Sequence, residues 1–242
     1  MRPVLKSLLL LLAGAIYVVG GLRAAPPAES PIPLEKGNRW TYEGKIETTL
    51  ADSLAGSPPV FATNICWVME VMDSMKSPDA QAAVVRGYPD ELAWYEPGRA
   101  PGYCILLNFS NRIYQLTASD EKQAGSMLQA VIREPGKFSA QAQDFNELFQ
   151  LPLTEGKRWG GNLQREDGWY CWRVEKATPV KLQIKGYSKK TAPIVYTLAY
   201  RTNPEHELLE IVSGLGITHF IYAHHGTVST VDVRLVSFKH PR

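Results

Sequence analysis

The 242-residue chain has three cysteines, Cys66, Cys104 and Cys171, and no two of them stand close together. That spacing excludes a zinc site built on Cys-x-x-Cys pairs, which a small tetrahedral ion requires. Gly-x-Ser-x-Gly, His-Glu-x-x-His and a Gly-rich phosphate loop are also absent, so no common hydrolase or nucleotide motif points to a reaction. Basic clusters with interleaved aromatics are missing too, which removes nucleic acid from the partner classes. Asp and Glu are scattered, with nothing to single out two of them as a sugar-cleaving pair.

Long apolar runs are confined to one, at about 8–22, preceded by Arg2 and Lys6 and followed by Ala24, Ala25, Pro26 and Pro27. This is the layout of a secretory signal over residues 1–24, with cleavage after Ala24. Leu22 and Arg23 spoil the usual small-x-small site, and the run is near the short end of what spans a bilayer, so an uncleaved N-terminal anchor is the alternative. No cysteine lies near the run, which argues against a bacterial lipid anchor. Three of the 26 Lys and Arg and none of the 24 Asp and Glu fall in this segment, leaving the remainder with a formal charge of −1. The basic pI of 8.3 therefore belongs to the leader. Residues 25–32, rich in Pro and Ala, read as a linker.

What the sequence does contain is a repeat. Pro33-Leu34-Glu35-Lys36-Gly37-Asn38-Arg39-Trp40 returns 119 residues later as Pro152-Leu153-Thr154-Glu155-Gly156-Lys157-Arg158-Trp159. A fainter echo follows each copy, Cys66-Trp67-Val68-Met69-Glu70 and Cys171-Trp172-Arg173-Val174-Glu175. The shared order points to two related halves, 33–150 and 151–242. In each, a glycine turn delivers a tryptophan into the first strand. An odd number of thiols leaves at least one unpaired, and Cys66 with Cys171, equivalent in the two echoes, is the first pair to test for a disulfide.

Period-two alternation marks strands at 63–73, 82–88, 91–96, 103–107, 112–117, about 170–175, 196–201, 207–213 and 228–238. On the first of these Ile65, Trp67, Met69 and Val71 share a face. Ser110-Asn111 and Asp167-Gly168 read as turns. Ala124, Met127, Leu128, Val131 and Ile132 form an apolar stripe on a helix at about 119–133, capped by Ser119 and stopped by Pro135-Gly136; a second short helix is expected at 141–150. Together these predict a mainly β fold, an antiparallel curved sheet or partial barrel from two related halves, with one amphipathic helix between them.

His219, His224 and His225 fall within seven residues. On a strand, residues six apart lie about 20 Å apart and neighbours face opposite ways, so the three cannot share one ion, and no metal set and no cofactor is expected. His224, His225 and Asp232 on the closing hairpin are the candidate ligand-contact residues, and the centre of a rival reading as a hydrolase or metal-dependent enzyme. No catalytic residue is assigned.

The repeated Pro-Leu-x-x-Gly-x-x-Trp strand openings, with Gly214-Leu215-Gly216-Ile217 and the C-terminal His224-His225-Gly226-Thr227 strand, resemble a group of exported proteins of soil and environmental bacteria to which no activity is assigned. More loosely, the pattern is similar to the curved half-barrels of periplasmic lipoprotein carriers, a likeness of fold alone. The expectation is a non-enzymatic exported protein, periplasmic or secreted. Its concave face would take a lipid-like or other small apolar or amphipathic ligand, or a cell-envelope protein. Membrane contact would come only through an uncleaved N-terminal segment. A purely structural envelope protein is the third class.

Overall fold

The computed structural model describes residues 30–49, 60–142, 147–224 and 228–241. The expected leader at 1–24, most of the 25–32 linker, and His225, Gly226 and Thr227 lie outside the described residues. The strands are β1 (Arg39–Thr49), β2 (Val60–Lys76), β3 (Ala80–Arg86), β4 (Tyr103–Phe109), β5 (Arg112–Ala118), β6 (Glu147–Gln150), β7 (Arg158–Trp159), β8 (Trp172–Pro179), β9 (Ile194–Arg201), β10 (Glu205–Val212), β11 (Gly216–His224) and β12 (Val228–Lys239). They form one antiparallel, nearly closed sheet in the order β6-β5-β4-β3-β2-β1-β12-β11-β10-β9-β8-β7. Each strand thus pairs with its sequence neighbours, except that β6 and β7 form the two edges, and β1 meets β12 at the centre. The mainly β, curved antiparallel fold read from the sequence is the fold observed.

Alternation sorts the side chains into two cores. Residues from all twelve strands, among them Trp40, Trp67, Met69, Leu106, Ile113, Phe149, Trp159, Val174, Leu198, Leu209, Phe220, Val233 and Phe238, join in one buried cluster, the lumen of the curled sheet. Ala80, Ala82, Val84, Ile105, Leu107 and Tyr114 point the other way and meet Ala124, Leu128 and Val131. These last belong to helix α1 (Glu121–Arg133). The amphipathic helix therefore covers the outer face of β2 to β5 and not the concave face. Helix α2 (Pro135–Gln141) follows it directly.

Both copies of the repeated octet make the same local structure. Gly37 N–H donates to the Val71 carbonyl at 2.8 Å and Gly156 N–H to that of Val174 at 2.8 Å, while Val71 and Val174 donate back to Asn38 and Lys157, each at 2.9 Å. Gly37 (φ 90°) and Gly156 (φ 81°) occupy the left-handed region that the turn requires. Trp40 and Trp159 are both sealed in the lumen. The second echo is out of step with this frame by two residues. Trp40 faces Met69 and Trp159 faces Trp172, so the place of Cys171 is held in the first unit by Val68, not Cys66. All three cysteines are free, Cys66 exposed and the others buried, and the expected Cys66–Cys171 pair is not formed.

Several local readings are corrected. Residues 89–94 form a 3-10 helix (Pro89–Trp94) instead of a strand, because Pro89 cannot donate to a sheet ladder and its fixed φ suits a helical first turn. Asp120, not Ser119, caps α1, accepting from Gln123 N–H. The short helix expected at 141–150 lies earlier, at α2, where Pro135 takes the first-turn position, and 147–150 is strand β6. Tyr170 has φ 59°, so β8 starts only at Trp172. At the end of the expected linker, Ile32 is fully buried in the lumenal core and the Pro31 carbonyl accepts from Gly214 N–H at 3.1 Å.

At Gly44 on β1 an added Cβ would lie 1.9 Å from the Asp232 carbonyl oxygen of β12, whereas at Gly156 nothing lies within 4 Å. Gly44→Ala should therefore cost on the order of 2–4 kcal/mol and Gly156→Ala about 1 kcal/mol through its positive φ alone. Urea denaturation checks the order. In the native protein a thiol reagent should modify one cysteine, Cys66, and all three after unfolding.

Candidate functional site

Of the three residues singled out in the sequence, His225 lies outside the described residues, and the two that are described, His224 and Asp232, do not converge. His224 continues β11 on the face of Tyr222, on which it stacks with ring centroids 6.1 Å apart, and Tyr222 belongs to the lumenal core. Asp232 faces outward, where its Oδ1 lies 2.8 Å from Nε2 of His219. His219 is itself buried, with Nδ1 3.5 Å from Glu210 Oε2. Register explains the split: Asp232 pairs with Ile221 and His224 with Glu205. His206 packs edge-on to Trp169 instead.

The lumen contains what the sequence reading missed. The 3-10 helix Pro89–Trp94 leaves β3 and turns inward against β11 and β12. Its side chains, β4 and β5 on one wall, and β10 and β11 on the other enclose a cavity of about 660 Å³. Phe220, Tyr222, Ala93 and Cys104 supply apolar lining, and Asp90, Glu91, Glu205 and Glu207 supply four carboxyl groups. Trp94 stands at the rim, 68% exposed.

Asp90, Glu91 and Glu207 are poorly solvated, and none of the three carboxyls is in an ion pair among the described residues. Asp90 Oδ2 accepts from Gln115 Nε2 at 2.7 Å, while its Oδ1 is closed off from solvent and has no hydrogen-bond donor. Burial raises Asp90 from 3.8 to about 7, against the opposing Gln115 hydrogen bond. Burial, then the charge of Asp90, raises Glu207 from 4.5 to about 8. Both side chains line the cavity and are half-buried by residue. Glu91 Oε2 accepts from Gly102 N–H at 2.6 Å, which offsets part of a rise also caused by burial. Burial first, then Asp90 and Glu91, hold Cys104 well above the usual thiol range. It keeps its proton at neutral pH and is no thiolate nucleophile. Beneath them the Tyr88 hydroxyl, 2% exposed by residue, has no partner, and the charges of Asp90 and Glu207 act on it.

A signal for this site was present in β10. Glu205 and Glu207 share strand parity with Leu209, a core residue, and acids on a core-facing row seldom occur without a role. Asp90, in contrast, looked like a turn residue after Pro89.

No protein-family model and no curated protein matches the chain. Among solved structures, a protein from Bacteroides fragilis described as exported, with a YmcC-like fold, aligns with 11% identity over 86% of this chain and 98% of its own, at a TM-score of 0.39. A protein from Parabacteroides distasonis described as a lipoprotein aligns with 10% identity over the same shares, at a TM-score of 0.35.

A carboxyl whose folded pKa is raised binds its proton more tightly when folded. Its penalty is absent below about pH 4, grows as pH rises toward the folded value and levels off only above it, past about 7 for Asp90 and about 8 for Glu207. Asp90→Asn and Glu207→Gln should each stabilise the protein at pH 9, by on the order of 1–3 kcal/mol, with a smaller gain at pH 5. Thermal denaturation at the two pH values checks this, and a loss of stability at pH 9 would contradict it.

Proposed function

We propose that the protein binds a small amphipathic molecule in its lumen, without catalysis, and that it works outside the cytoplasm. The observation that carries the binding reading is the cavity of about 660 Å³ left inside an otherwise packed sheet, within the usual range for small-molecule sites. Its lining, an apolar wall facing a row of carboxyls, suits a ligand with one polar end. Trp94, exposed at the mouth, offers an aromatic face to whatever enters or to an envelope partner that delivers it. Export rests on the charged and apolar pattern of residues 1–24, with cleavage and anchoring as its two forms. The matching backbone hydrogen bonds of the two glycine turns support descent of β1 to β6 and β7 to β12 from one six-stranded unit.

The rival reading, a hydrolase or metal-dependent enzyme on His224, His225 and Asp232, needs Asp232 beside His224. Asp232 is instead engaged with His219 on the outer face.

Native mass spectrometry of the protein purified from its own cell envelope should reveal a bound small molecule. Thr117→Trp, which places a large side chain at an exposed position of the cavity wall, should abolish retention while the fold persists by circular dichroism. A wild-type protein that carries nothing, even when gently extracted, would contradict the carrier reading.

A further inference from the structure

We propose that the lumenal cavity takes an organic cation, a protonated amine on an apolar body, with the ammonium group between Asp90 and Glu207 and the body against Phe220 and Tyr222. This rests on the cavity being a binding site and adds the charge and chemical class of its ligand.

Four carboxyl groups line the cavity against a single cation, Arg99. Arg99 is exposed and donates to the Trp94 carbonyl at the rim, so it does not neutralise the floor. Among the described residues none of the four carboxyls takes part in an ion pair. Glu91 is satisfied by Gly102 N–H. The lining carboxyls of Asp90, Glu205 and Glu207 therefore face the cavity with no cationic partner among the described residues.

An alkylammonium has three N–H donors and no acceptor, so it can donate to the carboxyl oxygens that face the cavity and balance their charge in one step. An anion would confront four carboxyls, and a neutral hydrocarbon would displace water from the lining carboxyls and return no hydrogen bond. A hard divalent ion would require several oxygens converging on one point. Among the described residues no group of three His, Cys, Asp or Glu is placed to hold a metal. The aromatic rings of Phe220 and Tyr222 add a face that attracts cations.

The protonation state fits the same ligand. With Asp90 near 7 and Glu207 near 8, both carboxyls hold part of a proton at pH 7. A cation arriving between them would favour the ionised forms and expel protons. Glu91 opposes that ionisation at Asp90 and Glu205 opposes it at Glu207, while Arg99 acts on Glu91; Tyr88, Tyr222 and Cys104 stay neutral throughout.

The test uses octylamine, octanol and octanoate on the full protein by isothermal titration calorimetry at pH 7. Octylammonium should bind at least about tenfold tighter than octanol, with octanoate weakest. Its measured heat should vary with the ionisation enthalpy of the buffer, reporting proton release. In the Asp90→Asn, Glu207→Gln double variant the preference for amine over octanol should fall at least about tenfold and the proton release should vanish. Equal or tighter binding of octanol or octanoate, or an unchanged preference in the double variant, would overturn the amine assignment and leave the cavity reading standing. If none of the three binds, both fall.

Discussion

The lumen exists because the first strand can lie against the last. β1 pairs with β12 through nearly its whole length, with shifts of register at Thr41/Tyr42 and Glu47/Thr48, and this pairing makes two six-stranded meanders one curved sheet. Backbones approach closely at Gly44, where the absence of a Cβ leaves room for the Asp232 carbonyl. Two long-range bonds hold the same region from within. Trp40 Nε1 donates to the Leu215 carbonyl at 2.5 Å, and the Tyr42 hydroxyl donates to that of Ile217 at 3.0 Å. Both cross from β1 to the start of β11, so they hold the curvature that β12 alone would allow to relax. The Trp40 ring also packs on Phe238 at 5.1 Å.

Within that enclosure the packing is uneven, and the unevenness is chemical. Tryptophans, leucines and valines fill most of the lumen, each finding the face that alternation assigns it. The exception is the region between the 3-10 helix and β10, where carboxyls stand on core-facing rows. Charged groups cannot close-pack against one another without losing water or a counter-ion, so the side chains that would fill the space hold it open. The raised pKa values of Asp90 and Glu207 reflect the same conflict. A protein under selection for stability alone would place apolar residues there.

The sheet was legible because its signals are local. Trp67, Met69 and Val71 fell on the predicted face, Ser110 and Asn111 made the predicted turn with φ of 52° and 61°, and the helix stripe found a partner surface. The sequence could not say which face of the sheet that helix would cover, since both faces of β3 and β4 are apolar, from Ala82 and Val84 to Ala83 and Val85. The cavity was less legible still. It is assembled by Asp90 from a connection that resembles a plain turn and by Glu205 and Glu207 more than a hundred residues later, and only the closing of the sheet brings them together. The histidines drew attention by clustering in sequence, yet strand parity and register separate His224 from Asp232 and give Asp232 to His219.

The account stands on Asp90 and Glu207 sitting in a poorly solvated lumen. A pH titration of side-chain carboxyl carbons by nuclear magnetic resonance, with the two signals assigned through Asp90→Asn and Glu207→Gln, measures this directly. It should find midpoints of about 7 for Asp90 and about 8 for Glu207. Midpoints near 4 for both, the value of carboxyls in open water, would contradict it.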